Sequence, residues 1–439
     1  MTTTPLGHRD VLAIAVPIIF SNISTPLLGI VDTAVLGQLG DPYQIGAVAV
    51  GAVIFSMIFW GFGFLRMATS GFTAQADGAN DHQEVAAVLY RSLIISIILG
   101  LLLIALQTLI ATVAFLIIDS SKLVESNARS YFNIRIWSAP AALANYVILG
   151  WLIGLGRATS ALMVQVLLNG VNAGLDALFV LSFDMEVEGV AVGTLIAEYV
   201  ATIFGFYIAS REIRKRKIRT LWSDLLEVTA LRRVFIVNID IMIRTLCLIF
   251  AFSFFTAESA RTDDITLAAN AILINFLHFS AHFLDGFAHA AQTLVGRAIG
   301  AADLRKFKTT IAISFFWAIV CAIFISLVFW LAGNFFIRIM TINPDVRMAT
   351  SEYLIWIILA PIIGVAAYQF DGIFIGATRT KDMRNMMIVS LAIYLSSWAI
   401  LAPLYGNNGL WASVMIFFAA RAMALAMRMP ALERASFAS

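Results

Sequence analysis

The chain has 439 residues, of which 61% are hydrophobic and 13% charged, and its formal net charge is +2. Charged residues make up about a quarter of an ordinary soluble chain, so this composition excludes one and points to an integral membrane protein. The near-neutral balance leaves no electrostatic footprint for nucleic acid, and the two cysteines, Cys247 and Cys321, each sit in an apolar run and indicate no disulfide framework.

The polar opening MTTTPLGHRD leads into an apolar segment too long for a signal-peptide core, so it reads as a retained first helix. A hydrocarbon core about 30 Å thick takes roughly 20 apolar residues in a helix. Twelve such runs are predicted, over 11–39, 45–76, 92–118, 131–156, 158–183, 187–210, 231–257, 265–297, 309–337, 348–378, 384–405 and 408–427. The fold class is therefore an all-α membrane protein with twelve transmembrane helices.

Ionisable groups inside such spans are costly unless paired or facing a cavity, and each is a functional candidate. In the first span, GIVDTAVLG places Asp32 in a stretch without another charge from Val11 to Leu39. Pro17, 15 residues earlier, removes a backbone hydrogen bond and permits a bend. In the fifth span, NGVNAGLDALF sets Asn169, Asn172 and Asp176 three and four residues apart, on one helical face. In the sixth, Thr194 and Glu198 are likewise four apart. At 1.5 Å per residue, Asp32, Asp176 and Thr194 all reach roughly 10 Å below the outer boundary. Asparagine and threonine also bond between packed helices without further role; three helices converging at one depth favour a site. Its carboxylates could exchange a proton, or its oxygens could ligate sodium, and the residues leave both open.

The second half carries Asp240, Arg244, Asp285 and Asp371. Asp240 and Arg244 are four apart and read as a neutralising pair on one helix. Asp285 and Asp371 have no local partner, which leaves a cationic substrate or a basic residue of another span. His278, His282 and His289 lack the glutamate of a zinc-protease helix and a third ligand, so no metal site is expected. Glycines such as Gly150 and Gly154 read as helix-packing points.

With a cytoplasmic N-terminus, the inner loops and span ends hold 21 Lys and Arg, the outer ones six, and only Arg66 and Arg244 lie deep in spans. Both termini are therefore expected in the cytoplasm. A shift of 222 residues brings TSGFTAQADGAND onto AQTLVGRAIGAAD and takes Tyr131 to Tyr353, Gly150 to Gly372, Gly154 to Gly376 and Arg157 to Arg379. Each repeat holds six spans, so the halves are parallel repeats about an axis along the membrane normal. The expected organisation is an N-terminal lobe over 1–209, a basic cytoplasmic linker over 210–230 and a C-terminal lobe over 231–439. Tyr394 and Trp398 stand where the repeat would place Asn172 and Asp176, so the lobes are chemically unequal. Paired bundles of this kind commonly hold a central substrate site and work by alternating access.

The segments PIIFSNISTPLLGIVDTAVLG, FLRMATSGFTAQADGA, GWLIGLGRA, AEY and DGIFIGATR together resemble the DinF branch of the multidrug and toxic compound extrusion (MATE) family over nearly the whole chain. The resemblance implies a monomeric, multi-pass inner-membrane antiporter that exports organic cations or other amphipathic toxins in exchange for protons or sodium. It implies no enzyme activity and no cofactor. The family's cation site falls on Asp32, Asn172, Asp176 and Thr194, with Tyr131 nearby and a backbone carbonyl at Val190, and Pro17 matches the family's bending proline. Asn169, Glu198, Asp285 and Asp371 are further substrate or gating candidates. The acids of other MATE branches in the C-terminal lobe are not clearly matched.

A lipid-linked oligosaccharide flippase shares this architecture, but an anionic substrate favours several cavity arginines. An intramembrane enzyme rests only on the histidines, with no nucleophile motif or phosphate loop beside them. The charge imbalance makes one direct prediction: reporter fusions within 211–219 read cytoplasmic, and a periplasmic signal there contradicts the two-lobe arrangement.

Overall fold

The structure, a computed structural model, describes residues 6–37, 41–118, 121–216 and 227–437, without the side chains of 25–34, 36–37 and 42. Among the described residues there is helix but no β-strand. In chain order the helices are α1 (His8–Gly37), α2 (Pro42–Gly61), α3 (Phe64–Gly78), α4 (His82–Ala105), α5 (Gln107–Ile117), α6 (Lys122–Arg135), α7 (Ala139–Gly154), α8 (Ala158–Leu181) and α9 (Glu186–Lys215). The second half continues with α10 (Val228–Ser259), α11 (Asp264–Gly300), α12 (Leu304–Met340), α13 (Pro344–Gly376) and α14 (Thr380–Phe437).

Among the described residues, ten segments are long and apolar enough to cross a membrane. One of them, α14, is two helices joined at Gly406, whose φ of 56° and ψ of −132° are non-helical. With the 30-residue α1, this makes the twelve expected spans. Their interiors differ from uniform helices. The second span breaks at Phe62 and Gly63 between α2 and α3, and the third at Leu106 between α4 and α5. The fourth begins at Lys122 and passes through a 3₁₀ turn, Ile136–Ser138, just before Pro140. Proline fits the first turn of α7, where its missing N–H costs nothing.

The internal repeat is written into the helix boundaries. Helix starts at 42, 82, 122 and 158 recur, shifted by 222, at 264, 304, 344 and 380. The turns recur too. Asn80 and Ala302 both have positive φ, and Asp81 and Asp303 next to them cap the following helices through Glu84 N and Lys306 N. Gly156 and Thr378 form the second matched pair of positive-φ residues. The glycines match as well. A Cβ on Gly150 would collide with the carbonyl of Arg66 and one on Gly154 with that of Ser70, so α7 lies directly on α3. Gly372 and Gly376 meet the carbonyls of Ala288 and Gln292 in the same way, and these are the same positions 222 residues on. These glycines are the packing points that their spacing suggests.

Two compact units emerge. One consists of Phe20–Asp77 and Asp81–Val234; the other of Phe235–Ser439 with Gly78–Asn80 and the stretch of α1 up to Ile19. In the second unit α1 packs against α11, since a Cβ on Gly286 would strike Ile19 and the Ala15 carbonyl. Pro17 lies between those contacts, half-buried, and α1 continues through it as one helix.

Gly150→Leu and Gly372→Leu force atoms into a neighbouring backbone and are expected to destabilise the purified protein by about 1–3 kcal/mol or more. At Gly170 a Cβ would meet nothing within 4 Å, so Gly170→Ala should be neutral or slightly stabilising in thermal unfolding. Equal effects at the three positions contradict the close-approach account.

Candidate ion and substrate site

The N-terminal unit brings α8 and α9 together around a buried polar cluster. Gly193 makes this possible, because a Cβ there would overlap the Asp176 carboxylate. Asn172 and Asp176 are fully buried and Thr194 nearly so. The Asn172 amide donates to Asp176 Oδ2 at 3.0 Å and to Thr194 Oγ1 at 3.1 Å. The Thr194 hydroxyl in turn donates to the Val190 carbonyl at 3.0 Å. Asn172 Oδ1 is buried and accepts no hydrogen bond among the described residues. A buried amide oxygen beside a carboxylate is suited to a proton donor or a small hard cation.

The other N-terminal candidates make contacts of their own. Asn169, one turn before Asn172, accepts from Gln165 at 3.0 Å and donates to the Ser24 carbonyl of α1 at 3.1 Å. The backbone of Asp32 continues α1 eight residues beyond Ser24; its side chain lies outside the described part. Tyr131 is fully buried against Gly51 of α2, and its hydroxyl accepts from Arg135 at 2.5 Å. Glu198, one turn beyond Thr194 on α9, is half-buried, and Oε2 accepts from the Asn145 amide of α7 at 2.7 Å.

The C-terminal unit treats its acids differently. Asp371 of α13 is buried, and its Oδ2 accepts from Arg244 of α10 and from Arg421 of α14, the latter at 2.6 Å. Asp240 bonds Arg384 at 2.6 Å and the Thr380 hydroxyl at 3.0 Å. The expected Asp240–Arg244 pair within one helix is therefore replaced by two pairs across helices. In a buried interface the strongest compensation comes from a facing guanidinium with good geometry, and each acid finds at least one on another helix. Asp371 thus meets basic residues of other spans. Asp285 is half-buried near Tyr368, whose other charged neighbours are Arg421, Arg244 and Asp371. His278 packs edge-on to Phe252, and His289 Nδ1 lies 3.1 Å from Gln292 Oε1. Among the described residues no three His, Cys, Asp or Glu side chains gather as a metal site.

The repeat shows what replaces the polar cluster in this half. A shift of 222 takes Asp32, Asn172 and Asp176 to Phe254, Tyr394 and Trp398. These three meet: Phe254 stacks edge-on with Trp398 at 4.8 Å between ring centroids and with Tyr394 at 6.0 Å.

Comparison with known proteins decides the lineage. The MatE family model matches residues 17–178 and 241–397. The chain belongs to the MatE family. It is 39% identical over 424 residues to DNA damage-inducible protein F of Escherichia coli, covering 94% of this chain and 90% of that one. It is 26% identical to a probable multidrug resistance protein NorM of Thermotoga maritima, over 91% of this chain and 85% of the relative. Among solved structures, MATE in the bent conformation has a TM-score of 0.87 at 20% identity, covering 98% of this chain and 96% of that one. An outward-facing multidrug resistance MATE transporter has 0.86 at 19% identity, with 97% of each chain covered. At those identities the structural likeness speaks for the fold.

Within this MatE chain, sequence reasoning misses three residues. Arg421 reads as an inner-end charge but is buried on Asp371. Asn145, a lone amide in an apolar run, is the available signal for a partner of Glu198. Arg384 reads as a loop cation and instead reaches Asp240.

Removing Asp371 strands two buried guanidinium groups. Asp371→Asn is expected to lose about 3–5 kcal/mol of stability. Asp176→Asn places an amide into a cluster already built from an amide and a hydroxyl, and should change thermal stability much less. Parallel unfolding curves on purified protein check this, and equal losses contradict it.

Proposed function

We propose that this transporter exports organic cations and other amphipathic toxic compounds by antiport through alternating access, and that its coupling ion is loaded in the N-terminal lobe at Asp32, Asn172, Asp176, Thr194 and the Val190 carbonyl. The observation that carries this reading is the buried Asn172–Asp176–Thr194 network with its unanswered amide oxygen. Helix geometry supports the place of Asp32. The first and fifth spans run in the same direction and touch at Ser24 and Asn169. Seven residues further on α8 stands Asp176 and eight further on α1 stands Asp32, displacements of roughly 10 to 12 Å. Contact among Phe254, Tyr394 and Trp398 at the repeat-related positions points the same way.

In this reading Asp176 is acceptor for a proton or ligand for sodium, Asn172 fixes its orientation, and Thr194 with Val190 closes the far side. Asp32 alternates between loaded and unloaded states, so export requires a group whose charge can change. The names of its relatives, multidrug resistance proteins among them, support a drug-like substrate. The chain acts in the cytoplasmic membrane, as a monomer, with both termini inside. The flippase alternative is not favoured, since the arginines buried in the C-terminal lobe are tied to Asp371.

Vesicles loaded with ethidium should export it when a pH or sodium gradient is imposed, and the gradient that works identifies the ion. Asp32→Asn and Asp176→Asn should insert and fold yet lose gradient-driven efflux by at least about ten-fold, while dye binding at fixed pH changes little. Normal coupling in both variants contradicts the assignment.

A further inference from the structure

Glu198 is the one acid deep in the N-terminal lobe's spans that the ion cluster does not absorb. It sits on α9 one turn from Thr194, displaced about 6 Å along the axis toward the cytoplasmic end. The exposed residues of α9, Ile196, Tyr199, Ile203, Phe206 and Tyr207, mark its lipid-facing side. At 100° per residue Glu198 points about 130° away from the centre of that side, on the flank shared with Thr194, Ala201 and Gly205. A carboxylate there faces the interior of its lobe rather than hydrocarbon.

Its contacts are one-sided. Asn145 donates both to the Glu198 carbonyl at 3.1 Å and to Oε2 at 2.7 Å, which fixes the side chain from α7. Thr202 adds a bond to the same carbonyl at 2.8 Å and ties α9 to Ala141 at 3.1 Å. Among the described residues Glu198 has no ion pair within contact distance. Arg135 contributes charge to its surroundings, but its guanidinium is engaged by the Tyr131 hydroxyl and lies over the Phe55 ring at 4.7 Å. Tyr146 is the nearby aromatic group, with Arg66 among its charged neighbours. A rigidly held carboxylate with one oxygen committed, no contacting cation, and a phenol close by has the chemistry that recognises an organic cation.

We propose that Glu198 is the carboxylate with which the N-terminal lobe recognises the positive charge of its substrate, and that Asn145 is its positioning residue. This rests on the reading of that lobe as the transport site. It separates two jobs: Asp32 and Asp176 carry the coupling ion, and Glu198 sets the preference for cationic over uncharged amphiphiles.

The test compares methyltriphenylphosphonium with triphenylphosphine oxide, which is similar in size and shape but uncharged, by equilibrium binding to the purified full chain. Wild type should prefer the cation. In Glu198→Gln the affinity for the cation should fall on the order of ten-fold while that for the oxide changes less than about two-fold. Glu198→Asp should restore part of the preference, and Asn145→Leu, which keeps the carboxylate but frees it, should lose part of it. These two also decide the matter if Glu198→Gln folds poorly. Equal losses for both probes, or an unchanged preference in both Glu198→Gln and Asn145→Leu, overturn the proposal. Failure of wild type to export under any ion gradient instead overturns the transport reading, so the two failures are distinguishable.

Discussion

A carboxylate placed within a membrane-spanning bundle must be answered by something other than water, because its solvation is lost and the surrounding hydrocarbon offers none. The chain answers this in two ways. In the C-terminal lobe Asp240 and Asp371 are closed by arginines from facing helices. In the N-terminal lobe Asp176 sits in a network built from the Asn172 amide and the Thr194 hydroxyl. Asp371 is thus met by two guanidinium groups, whereas Asp176 takes a hydrogen bond from the neutral Asn172 amide.

The same backbone scaffold supports both solutions. Helix starts, positive-φ turns, capping aspartates and close-packed glycines recur at one constant shift, so the divergence lies in side chains rather than architecture. Where one half carries Asp32, Asn172 and Asp176, the other packs Phe254, Tyr394 and Trp398 together. An aromatic cluster needs no ion and contributes apolar burial and edge-to-face contacts instead. In the proposed cycle the lobes divide the work: one carries exchangeable charge, the other fixed charge and packing.

Much of this is legible in the sequence. Twelve apolar runs, the repeat and the face shared by Asn169, Asn172 and Asp176 all follow from periodicity, which local spacing records directly. The role of Gly193 is not legible, since its value depends on a carboxylate 17 residues earlier on another helix. The Asp371 cluster is hidden for the same reason. Its partners Arg244 and Arg421 come from α10 and α14, and sequence spacing pairs Arg244 with the nearer Asp240, which bonds Arg384 and Thr380 instead. Contacts between helices distant in sequence are set by packing, and one sequence does not encode them locally.

Competition between substrate and coupling ion through the Asp176 cluster of the N-terminal lobe is tested most directly by counting the ions displaced when methyltriphenylphosphonium saturates the purified protein. Proton release in weakly buffered solution and loss of bound radioactive sodium are the two readouts. Wild type should release one of the two ions on binding, and Asp176→Asn should bind the probe while releasing markedly less. Undiminished release from Asp176→Asn would show that the ion is held elsewhere and contradict the account.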